Sequence, residues 1–337
     1  MTKQTVQTIG DIARLANVSK ATVSRALNNS PLINQETRER IQAIARQYNF
    51  RLNATARSLS LRQSNTVAFV APGYKPEFFS AEDFFGLEML GGVGSGLHSL
   101  GYDLLFVHAK AGETAWVQDY LGSGRVDGFI VVNSSLRQEH ARALAEASAP
   151  FVGWGSPVPG FQYSTVSGDN VTGGRLATEH LISIGRQRIA FLGGTAGTPT
   201  VQNRYKGYEQ ALAAAGRTVV PALVVYGDYS HASGITTMQY LMQQNPEVDA
   251  VFVNSDLMAM GAIQAIQAQG KRVPEDIAVV GYDDLSIAVY SNPPLTTIRQ
   301  NVRLAGELLA QNLVQYIQTG EVTNVILPVD LIVRASA

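Results

Sequence analysis

Two basic side chains, Lys20 and Arg25, stand in an otherwise uncharged stretch, Ser19-Lys20-Ala21-Thr22-Val23-Ser24-Arg25-Ala26-Leu27-Asn28. A helix through it, turning roughly 100° per residue, gathers Lys20, Ala21, Ser24, Arg25 and Asn28 on one arc and Val23, Ala26 and Leu27 on the other. One face can dock while the other stays free to read. A lysine in the first turn sits at the positive end of the helix dipole and costs a few tenths up to about 1 kcal/mol, so stability does not call for it. An anion or a guanine edge would, because Lys and Arg donate to O6 and N7 in the major groove. A solvated amphipathic helix pair is the plainer alternative.

Enzymatic chemistry finds little to stand on. The chain has no cysteine, hence no thiol nucleophile, disulfide framework or cysteine metal site. His98, His108, His140, His180 and His231 are scattered without metal-ligand spacing. GGVGSG at 91–96 and GGTAGTP at 193–199 lack the Gly-Lys-Ser/Thr ending of a phosphate loop and any clean dinucleotide fingerprint. The first is expected within a helix packed closely on a sheet, the second in a loop facing a cleft. No nucleophile elbow occurs. We therefore expect no catalysis, no cofactor and no metal.

The elements that must position Lys20 and Arg25 are short. Thr8 stands three residues before Asp11, a capping-box spacing, and Ile9, Ile12, Ala13, Leu15 and Ala16 supply the apolar set of a first helix. Asn17-Val18-Ser19 supplies a turn, a buried anchor and a cap for the helix starting at Lys20, which ends near Asn28-Asn29. Asn34 begins a third helix, with Ile41, Ile44, Ala45 and Tyr48 at helical spacing. Together these make a helix-turn-helix within a three-helix head, expected over residues 1–51. A polar, basic connector of weak helical character follows over 52–65.

Charge is partitioned to match. Residues 1–65 hold ten Lys/Arg against three Asp/Glu, and residues 66–337 hold sixteen against twenty-four, so a near-neutral total hides a basic head on an acidic body. That is the electrostatic footprint of a nucleic-acid-binding module joined to something that binds none. The head's only aromatics are Tyr48 and Phe50, which favours duplex over base-stacking single-strand or RNA recognition. MTKQTVQTIG lacks the apolar core of a signal peptide and no stretch reads as a membrane span, so a cytoplasmic location is expected.

From Thr66 onward apolar strand runs alternate with amphipathic helical stretches. One series comprises 67–72, 103–109, 127–133 and 150–155; a second comprises 188–194, 222–228, 249–256 and 276–284. Continuous apolar strands imply parallel sheets covered on both faces, so residues 66–337 read as two doubly wound α/β lobes whose ligands bind beyond the carboxyl ends of the strands.

Head, connector and body together closely resemble the lactose-repressor-type (LacI/GalR) family of bacterial transcriptional regulators. TIGDIARLANVSKATVSRALN, NATARSL, VPEDIAVVGYDDLSIAVYSNPPLTTIRQN at 273–301 and the terminal LPVDLIVR carry the likeness over essentially the whole chain. The resemblance implies a small all-α head plus two lobes similar to periplasmic sugar-binding proteins, three chain crossings between them near 162–166, 292–298 and 320–325. Lobe 1 would then hold about 66–163 plus 296–322, and lobe 2 about 164–294 plus 323–334. It implies Lys20, Ala21 and Arg25 at base edges, Ser19, Thr22 and Ser24 near phosphates, Asn28 at the same surface, and a hinge helix with Asn53, Arg57 and the minor-groove wedge Leu59. For the effector it implies Asp83, Phe84 and Phe85, which replace a common Asn-Pro-Phe-Phe, together with Trp154, Arg204, Tyr229, Ser255, Asp256 and Asp283. Asp256 has the alternative role of capping the helix that begins at Leu257.

The function implied is sequence-specific operator binding by a homodimeric transcriptional regulator, a repressor of carbohydrate-utilisation genes, with operator affinity controlled by a small sugar held between the lobes. A palindromic duplex matches the two-fold symmetry of paired helix-turn-helix heads. With the chain ending at Ala337, three residues after Arg334, no heptad tail for a tetramer is expected. Three alternatives stay open at this level: a corepressor-dependent repressor, an activator with a non-sugar effector, and a sugar-binding transport or sensory module.

Overall fold

The computed structural model describes residues 8–50, 63–73, 83–110, 112–132, 138–158 and 160–337. The hinge positions Asn53, Arg57 and Leu59 lie outside the described residues. The chain divides into a unit ending at Ser64 and a unit beginning at Asn65.

The head is built from α1 (Ile9–Ala16), α2 (Lys20–Leu27) and α3 (Gln35–Gln47). Each helix starts on a side-chain cap. Thr8 Oγ1 accepts from the Asp11 amide (3.2 Å) while Asp11 accepts from the Thr8 amide (3.1 Å), closing the capping box. Ser19 Oγ accepts from Thr22 N (3.1 Å) and Asn34 Oδ1 from Thr37 N (2.8 Å). Asn17 turns the chain in the left-handed region at φ 49°. Ile12, Ala13, Ala16, Val23, Ala26, Ile41 and Ala45 form the core. Leu15 is 40 % exposed instead of joining it, because it lies roughly 110° round the helix from the stripe of Ile9, Ile12, Ala13 and Ala16. Tyr48 is half-exposed as the residue that ends α3.

The body holds two six-stranded sheets. Lobe 1 contains β1 (Thr66–Gly73), β2 (Asp103–Lys110), β3 (Gly128–Val132), β4 (Phe151–Trp154), β5 (Ser164–Gly168) and, near the end of the chain, β11 (Asn324–Leu327). Their spatial order is β11-β5-β4-β3-β1-β2, all parallel. Lobe 2 contains β6 (Ile189–Gly193), β7 (Val224–Tyr226), β8 (Ala250–Val253), β9 (Ala278–Asp283), β10 (Thr296–Arg299) and β12 (Asp330–Ile332). They run β12-β10-β9-β8-β6-β7, parallel except for β12.

Helices cover both faces of each sheet. In lobe 1, α4 (Phe84–Ser99) and α10 (Val302–Thr319) pack on one face and α5 (Gln138–Glu146) on the other. In lobe 2, α6 (Asn170–Ser183) and α7 (Pro199–Ala214) cover one face, α8 (His231–Gln244) and α9 (Asp256–Ala268) the other. The helices of these pairs approach to backbone contact on glycines. A Cβ on Gly174 would sit 2.0 Å from the Arg204 carbonyl oxygen, and one on Gly92 2.1 Å from that of Arg303. The 91–96 glycines thus lie within a helix, as expected, but Gly92 serves a neighbouring helix rather than the sheet.

Three crossings join the lobes, each later in the chain than the sequence suggested. They fall at 169, at 300–301 and at 328–329, the gaps between β5 and α6, β10 and α10, and β11 and β12. Residues 164–168 and 324–327 therefore belong to lobe 1, and 296–299 to lobe 2, reversing the expected assignments. The reason is local: STVSG and TTIR are short strands rich in Ser and Thr, so no apolar run announces them.

Candidate functional site

Two surfaces gather the expected functional residues. In the head, Lys20, Ala21 and Arg25 are exposed and Thr22 and Ser24 half-buried, while Val23 and Ala26 are wholly buried beneath them. Ser19 is committed as the cap of α2, its hydroxyl also 2.9 Å from that of Thr22. The Lys20 stem lies across α1, where a Cβ on Gly10 would come within 3.1 Å of its Cε. From α3, Gln42 Nε2 donates to Asn29 Oδ1 (2.8 Å) and to the Ala26 carbonyl (3.3 Å), holding the end of α2. Asn28 ends that helix with Oδ1 buried and without a hydrogen-bond partner. The arrangement presents two long cations on a braced helix whose other face is fully occupied.

In the body, Arg204 lies 4 % exposed on α7. Its Nε donates to Asn170 Oδ1 (2.8 Å), its Nη1 to the Asn254 carbonyl (2.5 Å), and its guanidinium carbon stands 3.5 Å over the centre of the Tyr282 ring. Two hydrogen bonds and a cation-π contact fix the plane of the group. Asp283 ends β9 at φ 123° and is 6 % exposed; its Oδ1 accepts from Gln300 Nε2 (2.5 Å). Burial drives its carboxyl up to about 7, a rise that the nearby Arg204 only partly offsets. Burial likewise pushes the Tyr282 phenol to about 12 and raises that of Tyr229. Tyr229 sits at φ 70° with its ring over Gly194, where a Cβ would come within 2.1 Å of it, and its hydroxyl bonds to Thr198. The loop containing Gly194 thus serves as the seat of an aromatic ring.

Lobe 1 supplies the facing wall. Asp83 caps α4 by accepting from Gly86 N (2.9 Å), and Phe84 and Phe85 pack on the lobe 1 core, Phe85 with its ring 6.1 Å from that of Trp154. Trp154 is only 8 % exposed, so its indole is chiefly a core group and presents little face for a pyranose. Hydrogen bonds between described residues join the lobes. Asn203 Nδ2 donates to Ser156 Oγ (3.2 Å), and the Ser286 amide donates to Glu88 Oε1 (3.0 Å). Beside the second contact Leu285 and Ile287 of lobe 2 pack into the core of lobe 1. At the crossings a cavity of about 440 Å³ is lined by Glu88, Asp283, Asp284, Arg299, Arg303 and Asp330 among others.

Two expected effector contacts are structural in this fold. Ser255, and not Asp256, caps α9, its Oγ accepting from Met258 N (3.2 Å). Asp256 is wholly buried and accepts from Leu285 N (2.8 Å) and Thr297 Oγ1 (2.5 Å), tying α9 to the end of β9 and to β10. Burial and the neighbouring Asp283 raise its carboxyl well above the usual range. Sequence reasoning also passed over Asn254, Gln300 and Asn170, polar residues just beyond strand ends, of which only Asn254 carried a signal, an amide closing an apolar run.

Comparison with known proteins decides the family. Residues 8–53 match the profile of "Bacterial regulatory proteins, lacI family" and residues 178–337 that of a "Periplasmic binding protein-like domain". The HTH-type transcriptional regulator CelR of Thermobifida fusca is 37 % identical over 98 % of both chains. The chain belongs to the lacI family of bacterial regulatory proteins. Among solved structures, a transcriptional regulator CelR–cellobiose complex matches with a TM-score of 0.76 at 36 % identity, covering 98 % of this chain and 100 % of that one. A lac repressor dimer bound to operator and the anti-inducer ONPF matches at 0.83 and 29 % identity, covering 98 % of both. This lacI-family chain is therefore a DNA-binding transcriptional regulator whose head reads DNA and whose two-lobed body binds an effector. No described helix is long and apolar enough to cross a membrane.

Proposed function

We propose that this regulator is a cytoplasmic homodimeric repressor of carbohydrate-utilisation genes that leaves a palindromic operator when a small sugar fills the cleft between its lobes. Lys20 and Arg25 read base edges from the major groove, and Ala21 makes an apolar contact of the kind a thymine methyl accepts. Ser19, Thr22, Ser24 and Asn28 contact the backbone or its flanks, and Asn53, Arg57 and Leu59 act where the two chains meet the minor groove.

In the body, Arg204 and Asp283 recognise hydroxyls, Tyr229 and Phe85 line the cleft with aromatic surface, and Asp83 and Phe84 shape its lobe 1 wall. One observation carries the reading: an exposed, braced, basic helix shares its chain with a cleft built on Arg204, Tyr282 and Asp283. The cellobiose in the CelR complex supports a sugar in this class of cleft, and the operator-bound lac repressor dimer supports two heads on one duplex. The effector acts only through its differential affinity for the two lobe arrangements.

The test is selection of tight binders from a random duplex pool with the effector-free protein, followed by titration of the complex with cellobiose and other neutral sugars. The reading expects an enriched palindrome and its release by a sugar. A palindrome released by no sugar, but strengthened by another metabolite, would overturn the carbohydrate assignment.

A further inference from the structure

Asn254 is wholly buried, and both its side-chain amide atoms, Oδ1 and Nδ2, are without a hydrogen-bond partner. The backbone around it is fully engaged. Its amide donates to the Leu192 carbonyl (2.9 Å), continuing the ladder between β8 and β6, and its carbonyl accepts from Arg204 Nη1 (2.5 Å). Because the ladder continues, strand alternation holds through residue 254. Ala250 and Phe252 pack on the α6–α7 face, Val251 and Val253 on the other, so Asn254 points to the α6–α7 face, where Arg204, Asn170 and Tyr282 already lie.

An unpaired buried amide is costly, on the order of 1–3 kcal/mol for each unsatisfied group, and native interiors leave few such groups. Ser255 beside it is busy capping a helix and Asp256 is tied to two neighbours, so the unpaired side chain at this strand end is that of Asn254. The side chains around it that recognise ligand under the proposed function are just as enclosed, Arg204 at 4 % and Asp283 at 6 % exposure. Asp283 also lines the cavity of about 440 Å³ at the crossings, while the Glu88–Ser286 and Asn203–Ser156 bonds hold the lobes together around the cluster.

We infer that Asn254 is a specificity-determining residue of the effector site, its amide reading an adjacent pair of hydroxyls through one accepted and one donated hydrogen bond. This deepens the proposed function and rests on it. The chemistry of the amide sets the class. A phosphate or carboxylate only accepts and would leave Oδ1 unpaired, whereas an ammonium only donates and would leave Nδ2 unpaired. Vicinal hydroxyls of a neutral sugar do both. They can also donate to Asp283 and accept from Arg204, so one polyol edge satisfies three side chains of the cluster.

The test uses the full-length protein with Asn254→Ala and the near-isosteric Asn254→Leu. Thermal unfolding is measured without sugar, and cellobiose binding by calorimetry. If the amide is held for a ligand, removing it relieves the effector-free protein, and Asn254→Leu raises the midpoint by about 2 °C or more. Asn254→Ala, in contrast, weakens cellobiose roughly tenfold or more.

Unchanged cellobiose affinity in Asn254→Ala overturns the assignment, whichever way the midpoint moves. If the unsubstituted protein itself does not take up cellobiose, the cellobiose form of the carbohydrate reading has failed, and the unfolding arm decides Asn254 separately. A midpoint lowered in both variants then makes the amide a structural group and overturns the inference; a midpoint raised in Asn254→Leu sustains it.

Discussion

Replacing Lys20 and Arg25 together by alanine separates reading from mere attraction. Both side chains are exposed on α2, with Val23 and Ala26 buried beneath, so the head keeps its core. Loss of Lys20 from the first helical turn removes a small dipole penalty of a few tenths of a kcal/mol. The double variant should therefore unfold at or slightly above the temperature of the parent head. A good base-edge contact discriminates by about 1–3 kcal/mol, and each is used twice by a two-fold dimer. Removing both contact classes thus costs roughly 4–12 kcal/mol on the true operator, about 10³-fold at the low end and essentially all discrimination at the high end.

The assay is fluorescence anisotropy on the selected palindrome and on a scrambled duplex of equal length, at one fixed salt concentration. The ratio of the two affinities should collapse, while scrambled-duplex binding falls only by the share of the lost charges. If both affinities fall by the same factor and the ratio survives, the two cations contact phosphates, and the assignment of α2 as the reader through these residues is wrong.

Other outcomes follow from the body. Gly174→Ala puts a methyl 2.0 Å from the Arg204 carbonyl oxygen; parting α6 and α7 should cost about 1–3 kcal/mol or more in urea unfolding and blunt the sugar response, and an unaltered midpoint would show that the helix pair yields freely. Asp283 is raised to about 7 in the folded protein against an ordinary 3.8, so its contribution to stability is complete below pH 4 and is lost as pH rises through 7. Effector-free protein should thus lose on the order of 2–3 kcal/mol between pH 5 and pH 8 relative to Asp283→Asn, measured by denaturant unfolding; parallel profiles would contradict the burial argument. Glu88→Gln weakens a charge-assisted bond to the Ser286 amide; the radius of gyration of the effector-free protein from small-angle scattering should rise, and an identical profile would mean that Leu285 and Ile287 alone hold that side. Operator affinity should fall by about 10³ or more from 50 to 200 mM salt if the two heads neutralise six or more phosphates; a flat dependence would exclude the basic heads as the binding surface.

Much of this was legible in the sequence where local chemistry decides. Thr8, Ser19 and Asn34 announce helix starts because a cap is a contact between residues three apart. Six of the apolar strands announce themselves because burial on both faces removes alternation, and the edge strands β2 and β7 because their runs are apolar although partly exposed. The polar strands Ser164–Gly168 and Thr296–Arg299 do not, since they carry few apolar residues, and their omission shifted the first two crossings. The site divides in the same way. Arg204 and Asp283 could be singled out because a charge beside an aromatic or at the end of an apolar strand is unusual in itself. For Ser255 and Asp256 a buried tie and a ligand contact use the same residue types, and the bonds to Met258, Leu285 and Thr297 become visible only in the structure. Asn254 was missed because an unpaired amide is a property of its surroundings.

The placing of the three crossings also sets the order in which the molecule can be made. The head, from the first residues to Ser64, is one continuous piece of chain, free to fold as soon as it leaves the ribosome. Neither lobe has that liberty. Lobe 1 lacks both α10, against which α4 is packed, and its edge strand β11 until residue 327 is synthesised; lobe 2 lacks β12 until residue 332. A ribosome that stops some forty residues early leaves a complete head on two unfinished lobes. Such a product would carry the reading surface of α2 on a body with neither sheet complete.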